Sequence, residues 1–281
     1  MDEQVFDKAC RLRDEGKLKE ATDEFLELAE KAEDPLDKAG MLLHLTNTLE
    51  MSGQIEAAVT KLSVARTLIE GYSSSQTLRD EKFGALELLL DYEDANLSWL
   101  RGGNLEASLG RFESLIKKHG LRAPADKHST EPKDVYLSGF YESSQIRRAF
   151  ILADLGRWKE ALPILEAIPS PKEYREGVAF YLGHCYSAAH DYVEAEQKLT
   201  EALRLGGLPN SLEYRAHCEL GTAYFNLRDY AKAKKEFEKG AKYADATYIK
   251  QTEIWKWLEL TCRALGLKAD AEHYAQMARP S

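Results

Sequence analysis

Two stretches of the chain, Leu182-Gly183-His184-Cys185-Tyr186 followed by HDYVEAEQKL (190–199), and Leu220-Gly221-Thr222-Ala223-Tyr224 followed by RDYAKAKKEF (228–237), repeat one another 38 residues apart. In each, apolar and small residues recur three and four positions apart, break at a polar turn, and resume with Ala and a large apolar residue four positions later. This spacing predicts two amphipathic helices joined by a short turn. A small residue is required where two helices cross, because anything larger than a methyl group pushes the backbones apart, and the large residue one turn on fills the space beside the crossing.

The second half of the phrase recurs as GKLKEATDEF (16–25), GQIEAAVTKL (53–62), GNLEASLGRF (103–112) and GRWKEALPIL (156–165), with a weaker copy, GLKADAEHYA (266–275), near the end. Its small residues are Ala21, Ala58, Ser108, Ala161, Ala195, Ala233 and Ala271, spaced by 37, 50, 53, 34, 38 and 38 residues. Its large residues are Phe25, Leu62, Phe112, Leu165, Leu199 and Phe237. A period of this length means stacked units, each burying its apolar face against the next. Lys268 stands where the other copies carry an apolar residue, as suits a terminal helix with one face in water.

The Leu-Gly…Tyr…Ala…Phe combination resembles the tetratricopeptide repeat, most specifically in the fifth and sixth copies; the first, third and fourth carry Ala9, Asn96 and Ala149 at the glycine position. The resemblance covers nearly the whole chain. It implies an all-α solenoid of about seven antiparallel helix hairpins, wound into a right-handed superhelix whose concave groove is lined by the first helix of each pair. A single domain, 1–281, is expected. The two long spacings hold GYSSSQT (71–77) and HGLRAPADKHSTEPKD (119–134). The second is polar, with two prolines, so 120–133 is the candidate loop and hinge between residues 1–119 and 134–281.

Carrying the family's groove positions onto this chain selects Arg147 and Phe150 in the fourth repeat, Phe180, Tyr181 and His184 in the fifth, and Arg215, Cys218, Thr222 and Phe225 in the sixth. The resemblance implies that such a groove takes an extended peptide or a helix of a partner protein. Aromatic lining suits an apolar anchor, and Arg147 or Arg215 could pair an acidic side chain or a terminal carboxylate. Aromatics at helical spacing also pack between repeats, so the lining is open to either use. The lysine and asparagine of the chaperone-tail clamp are absent: the first repeat offers Phe6 and Cys10 at those positions, the second Leu43 and Asn47. Trp255 falls at the family's core tryptophan position, with Trp257 nearer the groove.

Composition narrows the function classes. The chain has 281 residues, 44% hydrophobic and 30% charged, a globular profile rather than a disordered one. No apolar run reaches the roughly 18 residues of a membrane span, and the opening MDEQVFDKACRLRDEGK lacks an apolar secretory core. With four scattered cysteines, Cys10, Cys185, Cys218 and Cys262, the expectation is reduced thiols, a cytoplasmic location and no membrane insertion. A net charge of −9 opposes a nucleic-acid partner, and the run Lys232, Lys234, Lys235 reads as a solvated helix face because Glu236 and Glu238 follow it. The acidic run around Asp91, Glu93 and Asp94 likewise reads as solvated surface.

Phosphate loops, nucleophile elbows and paired zincin histidines are missing from the sequence, so neither an enzyme nor a cofactor is expected. One constellation has a chemical look: His184 and Cys218 could face each other on neighbouring first helices as a zinc or copper pair, or as a nucleophile and its base. Two ligands fall short of the four a structural zinc needs, and no oxyanion donors accompany them. The expected function is a non-enzymatic scaffold that binds a partner protein or peptide. The alternatives are a regulator that changes superhelix conformation when a peptide binds, and a metal-binding or catalytic protein using His184 and Cys218.

Overall fold

A computed structural model describes residues 3–75, 81–123, 130–168, 174–247 and 252–279. The described residues form fourteen helices and no strand: α1 (Glu3–Asp14), α2 (Leu18–Lys31), α3 (Pro35–Met51), α4 (Ile55–Ser75), α5 (Glu81–Leu100), α6 (Leu105–Lys118), α7 (Pro132–Asp154), α8 (Trp158–Ala167), α9 (Arg175–Ala188), α10 (Tyr192–Leu205), α11 (Asn210–Asn226), α12 (Tyr230–Thr247), α13 (Thr252–Ala264) and α14 (Lys268–Met277). Contacts divide the chain into two compact units, Met1–Ile151 and Leu152–Ser281. In the first, α1 packs on α2, α3 on α4 and α5 on α6, with α2 on α3 and α4 on α5 stacking one hairpin on the next. The second repeats this with α9 on α10, α11 on α12 and α13 on α14, stacked through α10 on α11 and α12 on α13. Of the expected hinge 120–133, residues 124–129 lie outside the described residues.

The turns explain why the phrase begins where it does. In α7, Gly156 N–H donates to Ala153 O at 2.9 Å and Arg157 N–H reaches back to Leu152 O at 2.8 Å. This pair of bonds satisfies the last carbonyls of a helix and needs a left-handed residue at its centre. The same pair closes α1 at Gly16, α3 at Gly53, α9 at His190, α11 at Arg228 and α13 at Gly266. Glycine meets that need freely, whereas His190 and Arg228 hold φ of 62° and 64° with a side chain present.

Behind each turn, the seven small residues from Ala21 to Ala271 are buried, as are the six large ones from Phe25 to Phe237. Each large side chain removed from water contributes about 1.5–3 kcal/mol. Approach is closest in the fifth and sixth repeats. A methyl group built on Gly183 would stand 2.6 Å from Leu199 Cγ, and one on Gly221 would stand 2.7 Å from the Phe237 ring. Helix α9 therefore lies directly on Leu199 of α10, and α11 on Phe237 of α12. Lys268 is exposed at the start of the terminal helix.

One expectation is corrected in the first unit. Glu93 is not solvated: it is 1% exposed. It sits three residues before Asn96, the residue at the glycine position of the third repeat, and so faces the neighbouring first helix rather than water. Asn47 Nδ2 of α3 donates to Glu93 Oε1 at 3.4 Å, Asn96 Nδ2 donates to Glu50 Oε2 at 2.6 Å, and Arg147 of α7 lies 3.6 Å from Glu50. Burial pushes the Glu93 carboxyl well above the usual value, and the Glu50 charge beside it pushes the same way against the weaker pull of Arg147 and Asn47. Its flanking acids do meet the surface, Asp91 with Lys118 and Asp94 with Arg66.

Two outcomes follow from this packing. Gly221→Ala lowers unfolding free energy by about 1–3 kcal/mol in urea titrations because Phe237 cannot withdraw, whereas Gly139→Ala in α7, with nothing within 4 Å, is neutral or stabilising by up to about 1 kcal/mol. Equal effects would refute the close approach. Glu93 binds its proton more tightly folded than unfolded, so its contribution declines as pH rises from near 4.5 toward the shifted value. Glu93→Gln removes that penalty, and its melting temperature gains on the wild type as pH goes from about 5 to about 8; parallel curves would count against a buried, protonated Glu93.

Candidate functional site

The nine positions expected to line a groove are divided between the two units. Arg147 and Phe150 belong to the first, where the Arg147 guanidinium stands 5.1 Å over the Trp99 ring and Phe150 packs 6.2 Å from the same ring. Phe150 is 3% exposed. The other seven are brought together in the second unit, on the row of first helices α9 and α11. Phe180 and Tyr181 are 0% and 2% exposed, whereas His184, Arg215, Cys218, Thr222 and Phe225 are half-buried.

What covers the buried pair is a set of polar bridges between successive first helices. Asp154, at the end of α7, accepts from Tyr181 Oη of α9 at 2.9 Å and from Arg215 Nη1 of α11 at 2.9 Å. The Arg215 guanidinium also lies 5.1 Å over the Phe180 ring. One carboxylate thus ties three helices, and the charge of Arg215 is answered inside the chain. His184 stacks on Phe180 with 9° between the ring planes, and its Nδ1 lies 2.8 Å from Glu219 Oε1 of α11. Burial pulls the imidazole toward its neutral form, yet the Glu219 bond and charge, with a further bond to the Ala153 carbonyl, carry its pKa above the ordinary value.

Asp154 and Glu219 were missed in the sequence reading. Both stand four residues after a selected position, Asp154 after Phe150 and Glu219 after Arg215, so each shares a helical face with a residue already chosen. That spacing was the available signal.

Cys218 and His184 do not form a pair. His184 is turned to Glu219, and Cys218 accepts a hydrogen bond from Tyr214 of its own helix. Burial pushes the Cys218 thiol up to about 12, with the Glu219 and Glu253 charges adding, and burial does the same for Cys185. Among the described residues no group of three or more His, Cys, Asp or Glu is placed to hold a metal ion. His217 pairs instead with Glu236 Oε2 at 2.8 Å and stacks on Tyr243.

Between α11 and α13 a cavity of about 140 Å³ remains, lined by Tyr214, Arg215, Cys218, Glu219, Glu253, Ile254 and Trp257. Trp257 forms part of its wall, held by stacking on Phe237 at 5.7 Å and by the edge contact with Phe225 at 5.4 Å. Trp255 points the other way and stacks on Tyr274 of α14.

Compared with solved structures, the chain is similar to pilF of Pseudomonas aeruginosa, at 13% identity over 86% of this chain and 91% of that one with a TM-score of 0.54. It is similar also to apo RapI, at 14% identity over 98% and 75% with a TM-score of 0.54. A tetratricopeptide repeat protein from Parabacteroides merdae aligns at 13% identity over 98% and 91%, with a TM-score of 0.47. The fold is of the tetratricopeptide type. No protein-family model matches the sequence, and no curated protein matches it. The tetratricopeptide scaffold accounts for the tight Gly183 and Gly221 contacts, and no helix among its described residues is long and apolar enough to cross a membrane.

If the thiols are held protonated, Cys185 and Cys218 react with iodoacetamide at about pH 8 at least a hundredfold more slowly than a free cysteine, whose pKa is about 8.5. Residue-resolved mass spectrometry reads this directly, and rapid labelling of Cys218 would restore it as a candidate nucleophile.

Proposed function

We propose that the chain is a non-enzymatic interaction scaffold that holds a segment of a partner protein on the row of first helices α9, α11 and α13, in a reducing, cytoplasmic setting. The observation that carries this is the cavity between α11 and α13, bordered by the half-buried Arg215, Cys218 and Glu219, which no side chain among the described residues fills. Packing between repeats usually closes such space, and polar groups converging on an open cavity are the usual mark of a binding site. The lining supplies shape and hydrogen-bonding groups without an activated nucleophile, since the thiol of Cys218 is protonated and His184 is held by Glu219. A partner segment laid along this row would meet Thr222 and Phe225 of α11 next to Trp257 of α13.

A library of random 12-residue peptides displayed on phage tests the reading against the purified chain. Selected peptides bind the wild type and the variant Val193→Arg, which alters an exposed position on α10, and lose about tenfold or more in affinity for Thr222→Arg, equivalent to about 1.4 kcal/mol. Selection no better than bare support, or equal binding by Thr222→Arg, would remove this face as the binding surface.

A further inference from the structure

The charge left available at the cavity is negative. Both arginines that the sequence offered to an acidic partner are engaged within the chain, Arg147 near Glu50 at 3.6 Å and Arg215 with Asp154 at 2.9 Å. Glu219, in contrast, uses one oxygen for His184 and keeps the other, Oε2, buried with no hydrogen-bond partner. A buried carboxylate oxygen without a donor is costly, by about 1–3 kcal/mol or more, and native proteins leave few of them. Glu253, on α13, brings a second carboxylate to the same cavity, where its charge and that of Glu219 both bear on Cys218. Among the described residues, the cations facing these two acids are Arg215, which is bonded to Asp154 and also feels the Glu219 charge, and His184, bonded to Glu219 itself. Among the described residues that line it, the cavity thus carries more carboxylate than matching cation.

Its size and walls specify more. About 140 Å³ is many times the roughly 10–15 Å³ needed for one water and well below the roughly 300–1,000 Å³ of a cofactor or drug-sized site. A single side chain fits that interval. Trp257 and Ile254 form apolar walls, and the indole is fixed by Phe237 and Phe225, so a long aliphatic stem would be covered while its charged head reached the carboxylates.

Resting on the binding reading above, we propose that the α11–α13 cavity receives one basic side chain, lysine or arginine, of the partner segment. The ammonium or guanidinium pairs with the carboxylates of Glu219 and Glu253, and its methylenes lie on Trp257. The partner recognised here is thus a segment with an obligatory cationic residue, and the face discriminates against acidic segments through the same two carboxylates.

The test uses the full chain and the phage-displayed 12-residue library. Wild-type selection yields peptides sharing a lysine or arginine at one position, and replacing that residue with alanine in a synthetic peptide weakens binding about tenfold or more in isothermal titration calorimetry. Glu219→Gln keeps an acceptor for His184 and Glu253→Gln is at an exposed residue, so both fold, as circular dichroism verifies; the double variant loses the basic preference while the remaining positions of the motif persist. Glu253→Lys shifts selection at that position toward aspartate or glutamate. Peptides selected on this face with no shared basic residue, or a basic preference that survives in the double variant, would overturn the proposal and leave the binding face intact. Failure to select any peptide would overturn both. The lysine and arginine arms, compared as matched synthetic peptides, determine which cation the cavity accommodates better.

Discussion

Everything in the second unit depends on how closely the two helices of a hairpin approach. At Gly183 and Gly221 the first helix lies so near Leu199 and Phe237 that a methyl group has no room. Dispersion falls off steeply with separation, so this distance decides whether the side chains around the crossing touch on all sides or leave voids. It also fixes the pitch at which α9, α11 and α13 stand beside one another. The bridges from Asp154 to Tyr181 and Arg215, and from His184 to Glu219, are possible because that pitch brings α7, α9 and α11 within hydrogen-bonding reach. The cavity at α13 is what the same spacing leaves where side chains do not meet.

The polar bridges change what the face presents. A row of arginine and aromatic residues suggests attraction for acidic ligands, but a charge already compensated at 2.9 Å has little left to offer. The polar group left without a hydrogen bond on this face is the second oxygen of Glu219. Burial of Phe180 and Tyr181 has the same origin, since Arg215 lies over one ring and Asp154 holds the hydroxyl of the other. These two aromatics stiffen the floor of the face, while His184, Thr222, Phe225 and Trp257 remain at its surface.

The hairpin repeat was legible because burial is periodic. The seven small residues from Ala21 to Ala271 and the six large ones from Phe25 to Phe237 were readable from spacing alone, and every one of them is buried. The face was legible in register only. Spacing says that Arg215 and Phe180 share the first-helix row, but which carboxylate from a neighbouring repeat reaches the arginine depends on side-chain length and rotamer, and Asp154 lies 61 residues away in sequence. Glu93 shows the same limit: neighbouring acids on a helix look equivalent in sequence, yet Asp91 and Asp94 meet lysine and arginine at the surface while Glu93 turns inward to Asn47. The turns at His190 and Arg228 were readable as breaks, though only the backbone reveals that they occupy the left-handed conformation elsewhere given to glycine.

The inward carboxyl of Glu93 makes folding of this chain a chemical exchange with the solvent as well as a change of shape. Between its ordinary and its shifted pKa, Glu93 takes up a proton from the buffer as the chain folds and returns it as the chain unfolds. The heat recorded when the protein melts accordingly contains the ionisation heat of whatever buffer accepts that ion. Two calorimetric enthalpies measured at one pH, one in phosphate and one in Tris, are therefore two different quantities for this protein, and the same difference taken for Glu93→Gln isolates the part that belongs to this one glutamate.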